Sequence, residues 1–165
     1  MSEMPLALLV TNRSAWGSGL RALLESRGFA VYTALGCSEG ALLFESPQPP
    51  HLVFTDSQLP DGTWADVLAA MRQSELPVNA VVVSPYVDVS LYLQVLEQGA
   101  FDFVVPPFRL EEIDHVIRNA MASVEFRRGA MKSKDSSTAH ISAEATEEAE
   151  ESRLRDDGFH IAPPA

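Results

Sequence analysis

Short apolar runs alternate with amphipathic stretches along the first 126 residues of the chain. Runs that are apolar at every position are typical of strands in a parallel sheet, because helices cover both faces of such a sheet. Five strands are predicted in this way: Leu6 to Val10, Phe29 to Thr33, Leu52 to Thr55, Val78 to Val83, and Phe101 to Val105.

Between these runs, apolar residues recur at steps of three and four positions, which is the spacing of a helix with one buried face. The last helix has the clearest pattern, with Ile113, Val116, Ile117, Ala120, Met121 and Val124. Five helices are predicted: Trp16 to Arg27, Ser38 to Glu45, Trp64 to Arg72, Val87 to Gln98, and Leu110 to Phe126.

The alternation of strands and helices predicts an α/β fold with three layers, a doubly wound five-stranded parallel sheet between two layers of helices. In such a sheet the ligand crevice lies beyond the carboxyl ends of the strands. Four polar residues follow strands at this edge: Thr11 and Asn12 after the first strand, Asp56 after the third, and Ser84 after the fourth.

The composition changes after Phe126. Residues 127–165 are rich in Ser, Ala and Glu and nearly free of large apolar side chains. Such a segment cannot bury enough surface to offset its ordering entropy. We therefore predict one domain over residues 1–126 and a disordered polar tail over residues 127–165, with a transient helix around Ser142 to Arg155.

The formal net charge of −11 and the pI near 4.7 argue against binding to nucleic acid or to anionic membranes, which need clustered Lys and Arg. A single cysteine, Cys37, excludes an intrachain disulfide and fits a reducing compartment. The N-terminal MSEMPLALLV lacks the basic residues and the apolar length of a signal peptide. These observations predict a soluble cytoplasmic protein.

The stretch LVFTDSQLPDGTWADVL, from Leu52 to Leu68, resembles the phosphoacceptor segment of the receiver domains of bacterial response regulators. The resemblance extends from about Leu6 to Phe126. It includes Gly99-Ala-Phe-Asp-Phe103 before the fifth strand and Pro107-Phe108 after it. The resemblance implies the flavodoxin-like strand order 2-1-3-4-5.

The resemblance also implies roles for individual residues. Asp56 stands at the position that takes a phosphoryl group from a histidine kinase. Ser84 matches the hydroxyl that contacts the phosphoryl group. Phe103 matches the aromatic residue that changes rotamer and reports the state of the site. The family further has two acids after the first strand, which bind Mg²⁺ with the phosphoacceptor, and a Lys after the fifth strand.

Here the acid pair is replaced by Thr11 and Asn12, and the Lys by Pro106. Mg²⁺ prefers carboxylate and water oxygens, so we expect no Mg²⁺ site of the family's kind and no other cofactor. Phosphoryl transfer depends on neutralising negative charge. We therefore predict a degenerate receiver, not an enzyme and without a catalytic residue of its own, in which phosphorylation at Asp56 is weak or absent.

Two other functions stay open. The chain is an active, atypical phosphoacceptor if Asp56 takes a phosphoryl group from a histidine kinase despite these replacements. It is a small-ligand binder if the same crevice is used without phosphate.

If the chemistry is weak, protein contact must carry the function. The fourth helix has more apolar residues than one face against the sheet requires, and Val89, Tyr92, Leu93 and Leu96 are its interface candidates. The alternative is that Val87, Leu91 and Val95 form the core side and the remaining residues are partly covered. The resemblance implies a partner there, a histidine kinase, an effector, or a second copy docking on the face of the fourth helix, fifth strand and fifth helix.

Overall fold

Five parallel strands form the central sheet of the protein. In the structure, a computed structural model, the backbone of residues 3–157 and the side chains of residues 3–134 are described. The strands within these described residues are β1 Leu6–Val10, β2 Ala30–Ala34, β3 Leu52–Asp56, β4 Gln58–Leu59, β5 Gly62–Thr63, β6 Asn79–Val83 and β7 Asp102–Val104. The large sheet has the order β2-β1-β3-β6-β7, with parallel pairing throughout. This order confirms the predicted 2-1-3-4-5 arrangement.

Strands β4 and β5 form a small antiparallel hairpin that the sequence pattern did not predict. Its two strands have two residues each, which is too short for any periodic signal. The turn between them contains Pro60 and Asp61, two residue types that favour turns. The hairpin occupies the segment between the end of β3 and the helix that follows.

Helices cover both faces of the sheet, as predicted. The five helices are α1 Trp16–Ser26, α2 Cys37–Phe44, α3 Trp64–Met71, α4 Val89–Glu97 and α5 Leu110–Asp157. One cluster of buried side chains joins α1 and α5 to the sheet, and a second cluster joins α2, α3 and α4 to the opposite face. All five residues of β3 and of β6 are buried.

Helix α4 begins two residues later than predicted. The side chain of Asp88 accepts a hydrogen bond from the Leu91 backbone N–H at 3.0 Å and caps the helix, so Val87 lies before its first turn. Val87 is 83% exposed and Val95 is fully buried. The assignment of Val87 to the core side was therefore wrong, whereas Val95 is a core residue.

Helix α5 continues past its predicted end at Phe126, and its backbone is helical to Asp157. The segment predicted to be disordered thus begins as helix, consistent with its many Ala, Glu, Lys and Arg residues, which have high helix propensity. Residues 158–165 of the predicted tail lie outside the described residues. The division into a domain over residues 1–126 and a tail stays a prediction. Within the described chain, no helix is long and apolar enough to cross a membrane.

Candidate functional site

Strand β3 places the carboxylate of Asp56 at the carboxyl edge of the sheet. Strands β1 and β3 pair in parallel with Val10 opposite Thr55, so Thr11 follows β1 beside Asp56. Asp56 is only 8% exposed. A buried carboxylate is stable only if hydrogen bonds or an opposite charge replace the water that it loses. The residues around Asp56 must therefore supply this compensation.

Four donors surround the Asp56 carboxylate, and each of them is electrically neutral. Oδ2 accepts hydrogen bonds from the Thr11 hydroxyl at 2.9 Å, the Asn12 backbone N–H at 3.1 Å and the Ser14 hydroxyl at 2.7 Å. Oδ1 accepts one, from the indole Nε1–H of Trp16 at 2.8 Å. Hydrogen bonds to an ionised acceptor are roughly twice as strong as neutral ones. Within the described contacts, dipoles rather than a cation compensate the charge.

The loop between β1 and α1 brings these donors together. The Thr11 hydroxyl also accepts a hydrogen bond from the Ser14 backbone N–H at 3.2 Å, which closes the loop on itself. Arg13 has a φ of 56°, in the left-handed region that non-glycine residues rarely adopt. This strained backbone turns the Asn12 N–H and the Ser14 hydroxyl towards Asp56.

Sequence reasoning placed Thr11 and Asn12 at this site but missed two of the four donors, Ser14 and Trp16. Thr11 contributes its side chain, whereas Asn12 contributes only its backbone N–H. A serine three residues after Thr11, in the loop that follows a strand, is a weak signal for a local hydrogen-bonded turn. No sequence signal showed that the indole of Trp16 would reach the carboxylate.

Within the described hydrogen bonds and ring contacts, Ser84 and Phe103 have partners other than Asp56. The Ser84 hydroxyl donates to the Tyr86 carbonyl at 2.9 Å and accepts from the Tyr86 N–H at 3.3 Å, so it is engaged by its own loop. Phe103 is half-buried and packs edge-to-face against Tyr92, with ring centroids 5.8 Å apart. The two predicted switch positions therefore lie in separate local contacts.

Pro106 borders a cavity of about 420 Å³ in front of Asp56. Other residues that line it include Trp16, Ser57 and Gln58. The described lining contains no Lys, Arg or His. Pro106, which the sequence resemblance puts at the family's lysine position, thus borders the same cavity as the carboxylate and supplies neither a charge nor a backbone N–H.

The residues at the site do not fit Mg²⁺. Among the described residues that line the cavity, Asp56 is the only carboxylate. All four of its donors would compete with a metal for its oxygens. Thr11 and Asn12 offer no negative charge, and Mg²⁺ gives up its water ligands reluctantly. Among residues with described side chains, no three His, Cys, Asp or Glu residues are grouped so that they could hold a metal ion.

Helix α4 presents apolar side chains to solvent. Val89 is 68% exposed, Leu93 is 54% exposed and Tyr92 is 39% exposed. Leu96 is half-buried. We call the four residues Val89, Tyr92, Leu93 and Leu96 the α4 surface. Tyr92 connects this surface to β7 through its contact with Phe103.

A second acid, Asp61, lies in the hairpin turn and binds the start of α2. Its carboxylate accepts hydrogen bonds from the backbone N–H groups of Cys37 at 2.7 Å and Ser38 at 3.0 Å. The Ser38 and Cys37 N–H groups lower the pKa of Asp61 to about 2. Burial, followed by the Asp61 charge, raises the pKa of the Cys37 thiol to about 11. The thiol is therefore protonated at neutral pH, and Asp61 acts as a structural anchor for α2.

Comparison with known proteins supports the same family as the sequence motifs. A model described as the response regulator receiver domain matches residues 7–118. The transcriptional regulatory protein KdpE of Mycobacterium tuberculosis (strain CDC 1551 / Oshkosh) is 35% identical over 118 residues, which are 72% of this chain and 51% of that protein. The chain thus spans about half the length of this curated relative.

Solved structures share the fold at lower identity. A CheY-like receiver domain protein from Methanospirillum hungatei JF-1 has a TM-score of 0.66 and 20% identity, covering 74% of this chain and 98% of that one. The beryllofluoride-activated NtrC4 receiver domain dimer has a TM-score of 0.64 and 22% identity, covering 72% and 98%. Because the matched family model includes the segments after β1, β3 and β6 that form the site, the chain belongs to the response regulator receiver domain family of two-component signalling.

Proposed function

We propose that this receiver domain acts by protein contact as a single-domain signalling protein, with weak or no Mg²⁺-dependent phosphorylation at Asp56. The observation that carries the proposal is the set of four neutral donors on the carboxylate. These donors stabilise the unmodified carboxylate in the place where the family has acids and a metal. The domain therefore needs no cofactor to hold its resting state.

The same donors disfavour phosphoryl transfer. Hydrogen bonds draw electron density from a carboxylate oxygen and make it a weaker nucleophile, and both oxygens of Asp56 accept at least one. The incoming phosphoryl group would then meet a negative charge with no cation in the described lining of the cavity, where Pro106 is the residue expected at the lysine position. Charge neutralisation and positioning account for most catalysis of this reaction. We therefore assign the domain no catalytic residue and no enzymatic activity.

The α4 surface is the proposed contact site. Three of its four residues are apolar or aromatic and more than a third exposed, and a contiguous exposed apolar patch marks an interface more often than chance exposure does. The partner is a histidine kinase, an effector or a second copy of the chain. A homodimer through α4, β7 and α5 fits the fold, and the NtrC4 receiver of similar fold is described as a dimer.

The net charge and the cysteine content of the chain bear on its partners and its cellular compartment. A net charge of −11 disfavours contact with nucleic acid or with anionic membranes. A single cysteine, which cannot form an intrachain disulfide, fits the reducing cytoplasm. We place the domain in residues 1–126, because the polar composition of residues 127–165 predicts no second core there.

Sedimentation of the full chain over a range of concentrations tests the contact. Leu93→Asp should shift the chain towards monomer while the melting temperature stays near that of wild type. The matched control is Leu42→Asp on α2, because Leu42 is 68% exposed on a different helix. The proposal for a dimer through the α4 surface is wrong if both substitutions have the same effect, or if Leu93→Asp unfolds the domain.

One observation favours a second candidate, an active phosphoacceptor. Asp56 ends β3 at the position of the family's acceptor, and a cavity of about 420 Å³ lies in front of it. This space could admit a small phosphodonor. Detection of a phosphoryl adduct on Asp56 by intact-mass spectrometry separates this candidate from the proposed function.

A further inference from the structure

Trp16 contacts both Asp56 and Phe108, and the resemblance to the family implies no role for this residue. It is the first residue of α1 and is 9% exposed. Its indole N–H donates to Oδ1 of Asp56 at 2.8 Å. Its ring packs against Phe108 with the centroids 6.4 Å apart and the planes at 65°. One side chain therefore contacts both the carboxylate and the segment that leads into α5.

Two cavities meet at this indole. The polar cavity in front of Asp56 and an apolar cavity of about 490 Å³ both have Trp16 and Pro106 in their walls. The apolar cavity lies between α1 and the start of α5, and its other residues include Leu20 and Phe108. We call it the α1–α5 groove. A movement of the indole would change the shape of both cavities.

The two oxygens of Asp56 are held unequally. Oδ2 has three donors, whereas Oδ1 has only Trp16. A change that removes one acceptor from the carboxylate, such as esterification or amide substitution, is best accommodated if the three-donor side is kept. The Trp16 contact is then the one that is lost. Since a buried indole N–H without an acceptor is unfavourable, the ring must move.

Ser84 and Phe103, the residues expected to respond to the state of Asp56, are engaged in other contacts. The Ser84 hydroxyl is bound to both backbone groups of Tyr86, and Phe103 packs on Tyr92. Within the described contacts, neither Ser84 nor Phe103 bonds to Asp56. A chemical change at the carboxylate therefore alters the Trp16 hydrogen bond directly. Ser84 could bond to Asp56 only after its hydrogen bonds to Tyr86 break.

We propose that Trp16 couples the chemical state of Asp56 to the α1–α5 groove through Phe108, in place of coupling through Ser84 and Phe103. Trp16 is a positioning residue in this scheme. The inference goes beyond the proposed function, because it treats Asp56 as the position at which a signal changes the domain. It does not require that the signal be a phosphoryl group.

Asp56→Asn in the full chain tests the coupling without any phosphodonor. The amide has one acceptor oxygen, and that oxygen is held best where three donors converge. The amide NH₂ then faces the Trp16 N–H, and two donors cannot bond to each other. We expect the Trp16 indole resonance to move in NMR spectra, its hydrogen exchange to accelerate, and backbone shifts to reach Phe108 and Leu20.

A double-mutant cycle supplies the matched control. Trp16→Phe keeps a ring but lacks the N–H, so Asp56→Asn should cause no further shift at Phe108 in that background. Ser84→Ala should leave the Trp16 indole resonance in place. The proposal is overturned if Asp56→Asn shifts Phe103 and Tyr92 but leaves Phe108 unchanged, or if the Phe108 shift persists without the indole N–H.

If Asp56→Asn does not fold, the coupling can be tested in the opposite direction, by changing Phe108 and observing Asp56. Coupling between two sites is reciprocal, so Phe108→Leu should move the Asp56 carboxylate carbon resonance in the wild-type background and not in Trp16→Phe. No movement in the wild-type background would overturn the proposal. Neither result decides whether Asp56 is phosphorylated or whether the α4 surface binds a partner, since those questions have separate readouts.

Discussion

The hydroxyl of Thr11 donates a hydrogen bond of 2.9 Å to Oδ2 of Asp56, and both residues are buried. In the family this place is held by an acid, which repels the phosphoacceptor unless a metal lies between them. The Thr11 hydroxyl donates a hydrogen bond instead, so its interaction with the Asp56 carboxylate is attractive. The site is therefore stable with its carboxylate alone.

Thr11→Val tests this stabilisation, because valine has nearly the same shape and no donor. Hydrogen bonds to charged groups contribute roughly 1.5–3 kcal/mol, and we expect a loss in the free energy of unfolding of that size by urea titration. The control is Thr33→Val, whose hydroxyl accepts a hydrogen bond from Arg21 at 2.6 Å on the exposed surface. Solvent screens charged contacts there, so this loss should be less than about 1 kcal/mol and smaller than that of Thr11→Val. Equal losses in the two variants would contradict the account.

Restoring the family's acids should restore a metal response. In Thr11→Asp/Asn12→Asp, three carboxylates stand together, so the variant should be less stable than wild type without metal because like charges repel. Millimolar Mg²⁺ should then raise its melting temperature, since a ligand that binds only the folded state stabilises it. Wild type should show no rise. A rise of the same size in wild type would show that Thr11 and Asn12 support a metal site.

The strained backbone of Arg13 predicts a stabilising substitution. Its φ of 56° is unfavourable for a residue with a Cβ, and glycine adopts it freely. Arg13→Gly should therefore be more stable than Arg13→Ala by about 1 kcal/mol, measured by urea titration of both variants. If the alanine variant is as stable as the glycine variant, the loop is not strained in solution.

Asp61 predicts an acid-dependent loss of stability at α2. Its pKa is lowered to about 2 in the folded state from an ordinary value of 3.8. A lowered pKa means that the contribution is fully present above pH 3.8 and is lost as the pH falls through about 2. The difference in stability between wild type and Asp61→Asn should be constant from neutral pH to about 4 and shrink below it. A difference that does not change with pH would contradict the role of the charge.

Some parts of this structure could be predicted from the sequence because they depend on local pattern. The apolar run Leu52 to Thr55 predicted β3, and its end predicted that Asp56 would lie at the edge of the sheet. The alternation of apolar runs with amphipathic stretches predicted a parallel sheet between two layers of helices. The start of α4 was misplaced because the capping role of Asp88 depends on a side-chain rotamer that the apolar pattern does not contain.

Other parts depend on tertiary geometry. The indole of Trp16 reaches Asp56 over 40 positions of sequence, and its direction is set by the turn at Arg13 and the packing of Phe108. No periodicity contains that information. The resemblance predicted which family residues are replaced at positions 11, 12 and 106. Only the structure showed that two hydroxyls, a backbone N–H and an indole N–H donate to Asp56.

The most direct test of the central claim is intact-mass spectrometry of the full chain after incubation with acetyl phosphate and Mg²⁺, with Asp56→Ala as the control. The account predicts no phosphoryl adduct in wild type beyond the level in the control, because the donors on both carboxylate oxygens and the absence of a cation in the described lining oppose the reaction. An adduct in wild type that disappears in Asp56→Ala would contradict it and establish Asp56 as a working phosphoacceptor.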